Sequence, residues 1–187
     1  DASTAVDAAD FWVDNIATNV HMTGSVHNDT LISGAGNDTL FGGDGNDTLK
    51  GNAGDDYLNP GDNAQGYDQV QTGAGNDTVD FGDMLTGSSG IGHWNLNAAI
   101  IATINGNTNT GSINKGVNGT TTILDVANPM LAWGFDITGT SSDDVFNVTV
   151  ADGGWTGLRG DGGDDTFNIG ASTGFLRLDY RDYSGSL

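Results

Sequence analysis

Apolar positions in the first part of the chain recur every nine residues. Leu31, Leu40, Leu49 and Leu58 follow one another at that interval, and Val70 and Val79 resume it after the three-residue interruption Pro60-Gly61-Asp62. A helix repeats its buried face every three or four residues and a half-buried strand every two. A period of nine belongs to neither and points to stacked repeats. The blocks read 24–32 GSVHNDTLI, 33–41 SGAGNDTLF, 42–50 GGDGNDTLK, 51–59 GNAGDDYLN, 63–71 NAQGYDQVQ and 72–80 TGAGNDTVD. In each block the aliphatic residue sits at the centre of a minimal strand with its side chain turned inward. The six residues before it form a turn. One block cannot bury a lone aliphatic side chain, whereas a stack of blocks lines these side chains into a continuous core.

The polar positions are as regular as the apolar ones. Aspartate is sixth in all six blocks: Asp29, Asp38, Asp47, Asp56, Asp68 and Asp77. Glycine is fourth in five of them, with His27 the exception. Glycines permit positive φ and let carbonyl oxygens converge. Asparagine or aspartate at the fifth position tolerates a left-handed backbone.

Beyond residue 83 the pattern changes. The stretch 84–138 reads as strands with polar turns, as in Ala99–Ile104 and Thr120–Leu124, with Asn105-Gly106 and Asn118-Gly119 as turn signals. It fits a widening or cap of the stack, or a small sandwich beside it. The nonapeptide then returns at 139–147 GTSSDDVFN and 160–168 GDGGDDTFN, with Asp144 and Asp165 sixth and Phe146 and Phe167 eighth. The expected organisation is a cap at 1–23 built around Asp10-Phe11-Trp12-Val13, a repeat array at 24–83, a β-rich segment at 84–138 and a second repeat segment at 139–187. Val79-Asp80-Phe81-Gly82-Asp83 is echoed 99 residues later by Leu178-Asp179-Tyr180-Arg181-Asp182. That echo suggests a window on a longer array with units of about a hundred residues.

Charge narrows the chemistry. The 187 residues carry 25 acidic and 5 basic side chains, for a net charge of −20, and every acid is aspartate. Such a charge argues against binding nucleic acid or anionic membranes. The absence of cysteine excludes disulfides, zinc-thiolate sites and thiol catalysis. No apolar run is long enough to insert in a membrane. The chain opens on Asp1 without a secretory leader and reads as a processed chain or an excised piece. Crowded aspartates repel one another in a compact state, and a hard cation is their natural counter-charge because calcium takes carboxylate and carbonyl oxygens.

The match of residues 24–80 to the pattern GGxGxDxUx resembles the RTX family of secreted bacterial calcium-binding nonapeptide repeats. The resemblance implies an all-β fold: a parallel β-roll with an intervening β-rich segment and a second short roll. It also implies several Ca2+ ions held between turns of alternate blocks. Asp29 would then face Asp47, Asp38 would face Asp56, Asp47 would face Asp68, and Asp56 would face Asp77. Carbonyls at Gly34, Gly36, Gly43, Gly45 and Gly54 would complete the ions, with side-chain oxygens from fifth-position residues such as Asn37, Asn46 and Asp55. Asp144 and Asp165 would serve the second roll. Asp44, Asp62 and Asp80 would face solvent.

No HExxH, GxSxG, phosphate-binding or dinucleotide motif is present, and His21, His27 and His93 have no metal-triad spacing. No catalysis is expected. Trp12, Trp94, Trp133 and Trp155 read as core or cap packing ahead of sugar stacking. The resemblance implies an extracellular or surface module of the adhesin or surface-layer type, exported unfolded by the type I route and folded by external calcium. Self-association or a cell-surface or host ligand would be its partners. The competing reading is the accessory domain of an exported protease, lipase or epimerase. An ice-binding solenoid would need outward threonine ranks, and the third positions Ala35, Asp44, Ala53 and Ala74 lack them.

Overall fold

The computed structural model describes residues 10–13, 16–62, 66–93, 95–132 and 134–179. The nine-residue period becomes a chain that crosses from one sheet to a second sheet at each block. The strands begin as β1 (Asp10–Trp12), β2 (His21–Thr23), β3 (Thr30–Ile32), β4 (Thr39–Asp44), β5 (Thr48–Lys50), β6 (Tyr57–Asp62), β7 (Tyr67–Gln71), β8 (Asp77–Asp80) and β9 (Ser88–Gly92). They continue as β10 (Ile101–Asn105), β11 (Thr110–Asn114), β12 (Thr120–Leu124), β13 (Gly134–Thr138), β14 (Val145–Thr149), β15 (Trp155–Arg159), β16 (Thr166–Ile169) and β17 (Phe175–Asp179). One helical turn and a half, α1 (Ala127–Ala132), packs on β9 and β13. The result is a β-solenoid of about eight turns, consistent with a parallel β-roll.

Among the described residues the first sheet runs β1-β3-β5-β7-β9-β13-β15-β17, and every pairing in it is parallel. The second runs β16-β14-β10-β11-β12-β8-β6-β4-β2. Register follows the eighth positions. Leu31 pairs with Leu49 and Leu49 with Val70 in one sheet, while Leu40 pairs with Leu58 and Leu58 with Val79 in the other. All six side chains are fully buried. Each such burial contributes about 1.5–3 kcal/mol, and only stacking provides it.

The segment that the sequence leaves open enters these same sheets. β10, β11 and β12 form an antiparallel meander. β12 lies parallel to β8, and β10 lies parallel to β14. Only β11 runs reversed, so the stack continues on both sides of it. The meander keeps strand alternation, with Ala102, Ile104, Ile113, Thr121 and Ile123 inward.

Trp12 departs from its expected packing. Alternation along β1 turns Phe11 toward the core and leaves Trp12 68 % exposed. Trp155 lies under the Arg177 guanidinium, 5.2 Å from its ring centre. Trp94, Trp133, residues 1–9 and 14–15 of the expected cap, 63–65 of the fifth block, and 180–187 at the echo of 79–83 lie outside the described residues.

Candidate metal centre

The turns that precede the strands stack in two rows, one along each edge of the solenoid. The first row holds Asp29 and Asp47 ahead of β3 and β5, and Asp68 as the second residue of β7. The second holds Asp38 and Asp56 ahead of β4 and β6, and Asp77 as the first residue of β8. All six carboxylates are buried. The structure therefore brings together the pairs that the resemblance implied.

Each pair is joined by one hydrogen bond of constant form. The backbone N–H of Asp29 donates to Asp47 Oδ1 at 2.8 Å, and that of Asp47 to Asp68 Oδ1 at 2.8 Å. In the second row Asp38 N–H donates to Asp56 Oδ1 at 2.8 Å and Asp56 N–H to Asp77 Oδ1 at 3.0 Å. The row extends one turn earlier, where Val20 N–H donates to Asp38 Oδ1 at 2.8 Å. The carboxylates of Asp38, Asp47, Asp56, Asp68 and Asp77 thus each satisfy an amide of the turn before.

The second carboxylate oxygen has a different environment. Oδ2 of Asp38, Asp47 and Asp56 is buried with no hydrogen-bond partner. A buried anionic oxygen without a donor is costly. Burial, opposed by the amide bond and reinforced by neighbouring aspartates, pushes Asp47 up to about 7 and Asp56 up to about 8. Burial likewise raises Asp77, Asp144 and Asp165.

Main-chain groups of the loop glycines also face the neighbouring turns. Those of Gly36, Gly43 and Gly54 face the next turn of their row, so close that a Cβ on Gly54, Gly61 or Gly75 would strike them. Gly34 O accepts Ala53 N–H from the next turn at 3.3 Å, and Gly45 N–H donates to Asp62 O at 3.2 Å. The first-position glycines belong here too, although they were not singled out in the sequence. A Cβ on Gly42 or Gly51 would collide with Oδ2 of Asp47 or Asp56. Their signal was the glycine at position one, recurring beside the better-known fourth-position glycine.

The fifth-position side chains run a second ladder in the opposite sense. Asn37 Oδ1 accepts Asp55 N–H at 3.0 Å, Asn46 Oδ1 accepts Tyr67 N–H at 3.0 Å, and Asp55 Oδ1 accepts Asn76 N–H at 2.8 Å. These bonds lie at the exposed rim, away from the buried Oδ2 atoms.

Oxygen donors only, two carboxylates per gap and carbonyls in support make a set that suits a hard cation. Among the described residues no three His, Cys, Asp or Glu side chains cluster for a metal. A family model for the RTX calcium-binding nonapeptide repeat matches residues 23–62 and 64–83 in four copies. These turns are RTX repeats. Comparison with curated proteins and with solved structures gives no match.

A ladder of the same form reappears downstream of the matched residues. Ile100 N–H donates to Asp144 Oδ1 at 2.7 Å, and Asp144 N–H donates to Asp165 Oδ1 at 3.0 Å. Asp144 Oδ2 accepts Thr140 N–H at 2.6 Å. In the same way Asp29 Oδ2 accepts Ser25 N–H at 2.5 Å. Of the aspartates expected in solvent, Asp44 is exposed. Asp62 accepts from Thr86, and Asp80 accepts from the Tyr57 hydroxyl.

Two buried groups near the RTX turns were not anticipated. Lys115, fully buried, donates from Nζ to Asp77 Oδ2. His93 is also fully buried, and burial followed by the nearby Lys115 charge lowers it to about 4, so its ring is neutral at pH 7. No local motif marks either residue.

Proposed function

We propose that this chain is a calcium-dependent structural module of a secreted or cell-surface protein of the adhesin or surface-layer type, completed by calcium after export. The RTX repeats supply a calcium-binding structural module. The observation that carries the reading is the unpartnered, buried Oδ2 on three successive turns, Asp38, Asp47 and Asp56. Asp29, Asp38, Asp47, Asp56, Asp68 and Asp77 would hold the ions, with carbonyls of Gly34, Gly36, Gly43, Gly45 and Gly54. Asp144 and Asp165 would hold a further one. Asn37, Asn46 and Asp55 keep the turns in register beside them. Bound calcium supplies positive charge to carboxylates that otherwise repel.

The residues do the rest. The Oδ1 ladder spaces the turns, the first-position glycines leave room for Oδ2, and the aliphatic column holds the two sheets together. At low calcium the aspartates oppose compaction, and at high calcium they favour it, so binding is coupled to folding. This coupling suits a chain exported unfolded. Among the described residues no helix is long and apolar enough to cross a membrane. The module is read as structural rather than catalytic, with calcium as its ligand and a surface partner or a second copy as its macromolecular contact.

The decisive experiment is far-UV circular dichroism during a calcium titration from an EDTA-treated start, with magnesium as control. A cooperative gain of β signal with calcium alone is expected. A β-rich spectrum that is complete in EDTA and unmoved by calcium would overturn the folding switch.

A further inference from the structure

Lys115 sits where the solenoid has least room for a free charge. It lies between β11 and β12 and is fully buried. Its Nζ donates to Asp77 Oδ2 at 2.5 Å, to Gly73 O at 2.9 Å and to Thr72 Oγ1 at 3.4 Å. These partners are the sixth, second and first residues of one RTX turn.

The direction of these oxygens identifies the position. Second-position carbonyls face the turn ahead: Ser25 O faces Gly43, Gly43 O faces Gly61, and Asn52 O faces Gly73. Gly73 is the next second-position residue in that row, and its carbonyl meets Nζ. Asp38, Asp47 and Asp56 leave Oδ2 without a partner, whereas Asp77 gives Oδ2 to the ammonium. Asp77 Oδ1 still accepts from Asp56 behind it, at 3.0 Å. One face of Asp77 therefore serves the row and the other meets Lys115.

The turn ahead is a stacked turn of different composition. Gly75 N–H donates to Asn118 O at 2.8 Å, and Thr120 N–H donates to Asn76 Oδ1 at 3.2 Å, which continues the fifth-position ladder. Strand register then places Thr121 opposite Asp77, in the sixth position. Thr121 Oγ1 lies 3.0 Å from Thr72 Oγ1. One more calcium step would add a dication and an aspartate, a net single positive charge. Lys115 and Thr121 add the same net charge with no ion.

We propose that the Lys115 ammonium takes the cation position ahead of the 72–77 turn, so that the chain's own charge closes the row of sites at Asp38, Asp56 and Asp77. The proposal rests on the calcium reading of those turns. Beyond Asp77 the stack needs no calcium on this edge until Asp144 and Asp165. The reversed strand β11 is what delivers the lysine, because it brings a residue 38 positions away in sequence into the row.

The test counts ions and probes the lysine directly. Calcium bound at saturation is measured by equilibrium dialysis for wild type, Lys115→Met, and the double variant Lys115→Ala with Thr121→Asp, which restores a carboxylate and opens the space. The double variant is expected to bind one calcium more per chain than wild type. Lys115→Met, which fills the space without charge, is expected to keep the wild-type number. In wild type, amine-reactive labelling followed by peptide mapping compares the two lysines of the chain. Lys115 stays unmodified in saturating calcium while Lys50 is modified. Labelling of Lys115 as fast as Lys50 under those conditions overturns the proposal, and so does a folded double variant with no extra ion. If the double variant does not fold, the labelling decides. Wild type that binds no calcium overturns the parent reading and this one together; wild type that binds calcium beside a double variant that gains none overturns this one alone.

Discussion

The amide of Asp38 donates to Oδ1 of Asp56 at 2.8 Å, eighteen residues and one full turn of the solenoid away. The other oxygen of Asp56 is buried and receives nothing. One half of the side chain is therefore part of the scaffold, and the other half is where the proposed ion would bind. The two halves can be separated by experiment.

Asp56→Asn retains an oxygen for the Asp38 amide and removes the charge. The calcium concentration at the folding midpoint should rise by more than about tenfold, since a directly coordinating group is lost. In EDTA the variant should be at least as stable as wild type, because the repulsion from Asp38 and Asp77 is relieved. A calcium titration with circular dichroism reads both. An unmoved midpoint removes Asp56 from the ligand set.

Stability without calcium should fall as pH rises. Asp47 and Asp56 titrate near 7 and 8 in the fold, against an ordinary 3.8, so above pH 4 the folded chain holds protons that the unfolded chain has released. The calcium-free fold, which binds more protons than the unfolded chain, is then progressively disfavoured up to about pH 8. His93, lowered to about 4 from 6.5, acts in the opposite direction below pH 6.5. Above pH 6.5 the loss from Asp47 and Asp56 is no longer opposed by His93. The thermal midpoint in EDTA should drop from there to about pH 8 and stay level in calcium. A flat profile in EDTA contradicts the burial of these carboxylates.

Gly51→Ala places a methyl group against Oδ2 of Asp56 and the carbonyl of Thr72. Overpacking of this kind costs about 1–3 kcal/mol. If the intruded space holds the proposed ion, the calcium midpoint should shift upward together with the loss of thermal stability. A stability loss with an unchanged midpoint would confine the role of Gly51 to packing.

Asn46→Ala removes the acceptor for Tyr67 N–H, which is exposed at the rim. The expected loss is about 1 kcal/mol of stability, with no change in the number of calcium ions per chain. Ion counting at saturation checks it. A missing ion would return Asn46 to the ligand set and displace the ladder as its main role.

The repeats were legible in the sequence because their interactions are periodic. Every ninth aliphatic residue must meet its neighbours in a stack, so the buried column of Leu31, Leu40 and Leu49 follows from the period. That alternate turns share an edge, bringing Asp29 to Asp47 and Asp38 to Asp56, is what the resemblance to the RTX repeat implied. Direction was not legible: nothing in the spacing says that sixth-position oxygens reach back one turn while those of Asn37 and Asn46 reach forward. That depends on which way each amide points after the chain has coiled. The placement of the segment between residues 84 and 138 was also beyond the pattern, since β10, β11 and β12 are ordinary strands that join whichever sheet edge is unpaired. Lys115 shows the division most clearly. Alone in the sequence it is one of two lysines in a neutral stretch. Only the meander, by laying β12 beside β8, carries its ammonium 38 residues back to Asp77. Periodic contacts can be read from one repeat and its copies, whereas a contact made once exists only after the chain has folded.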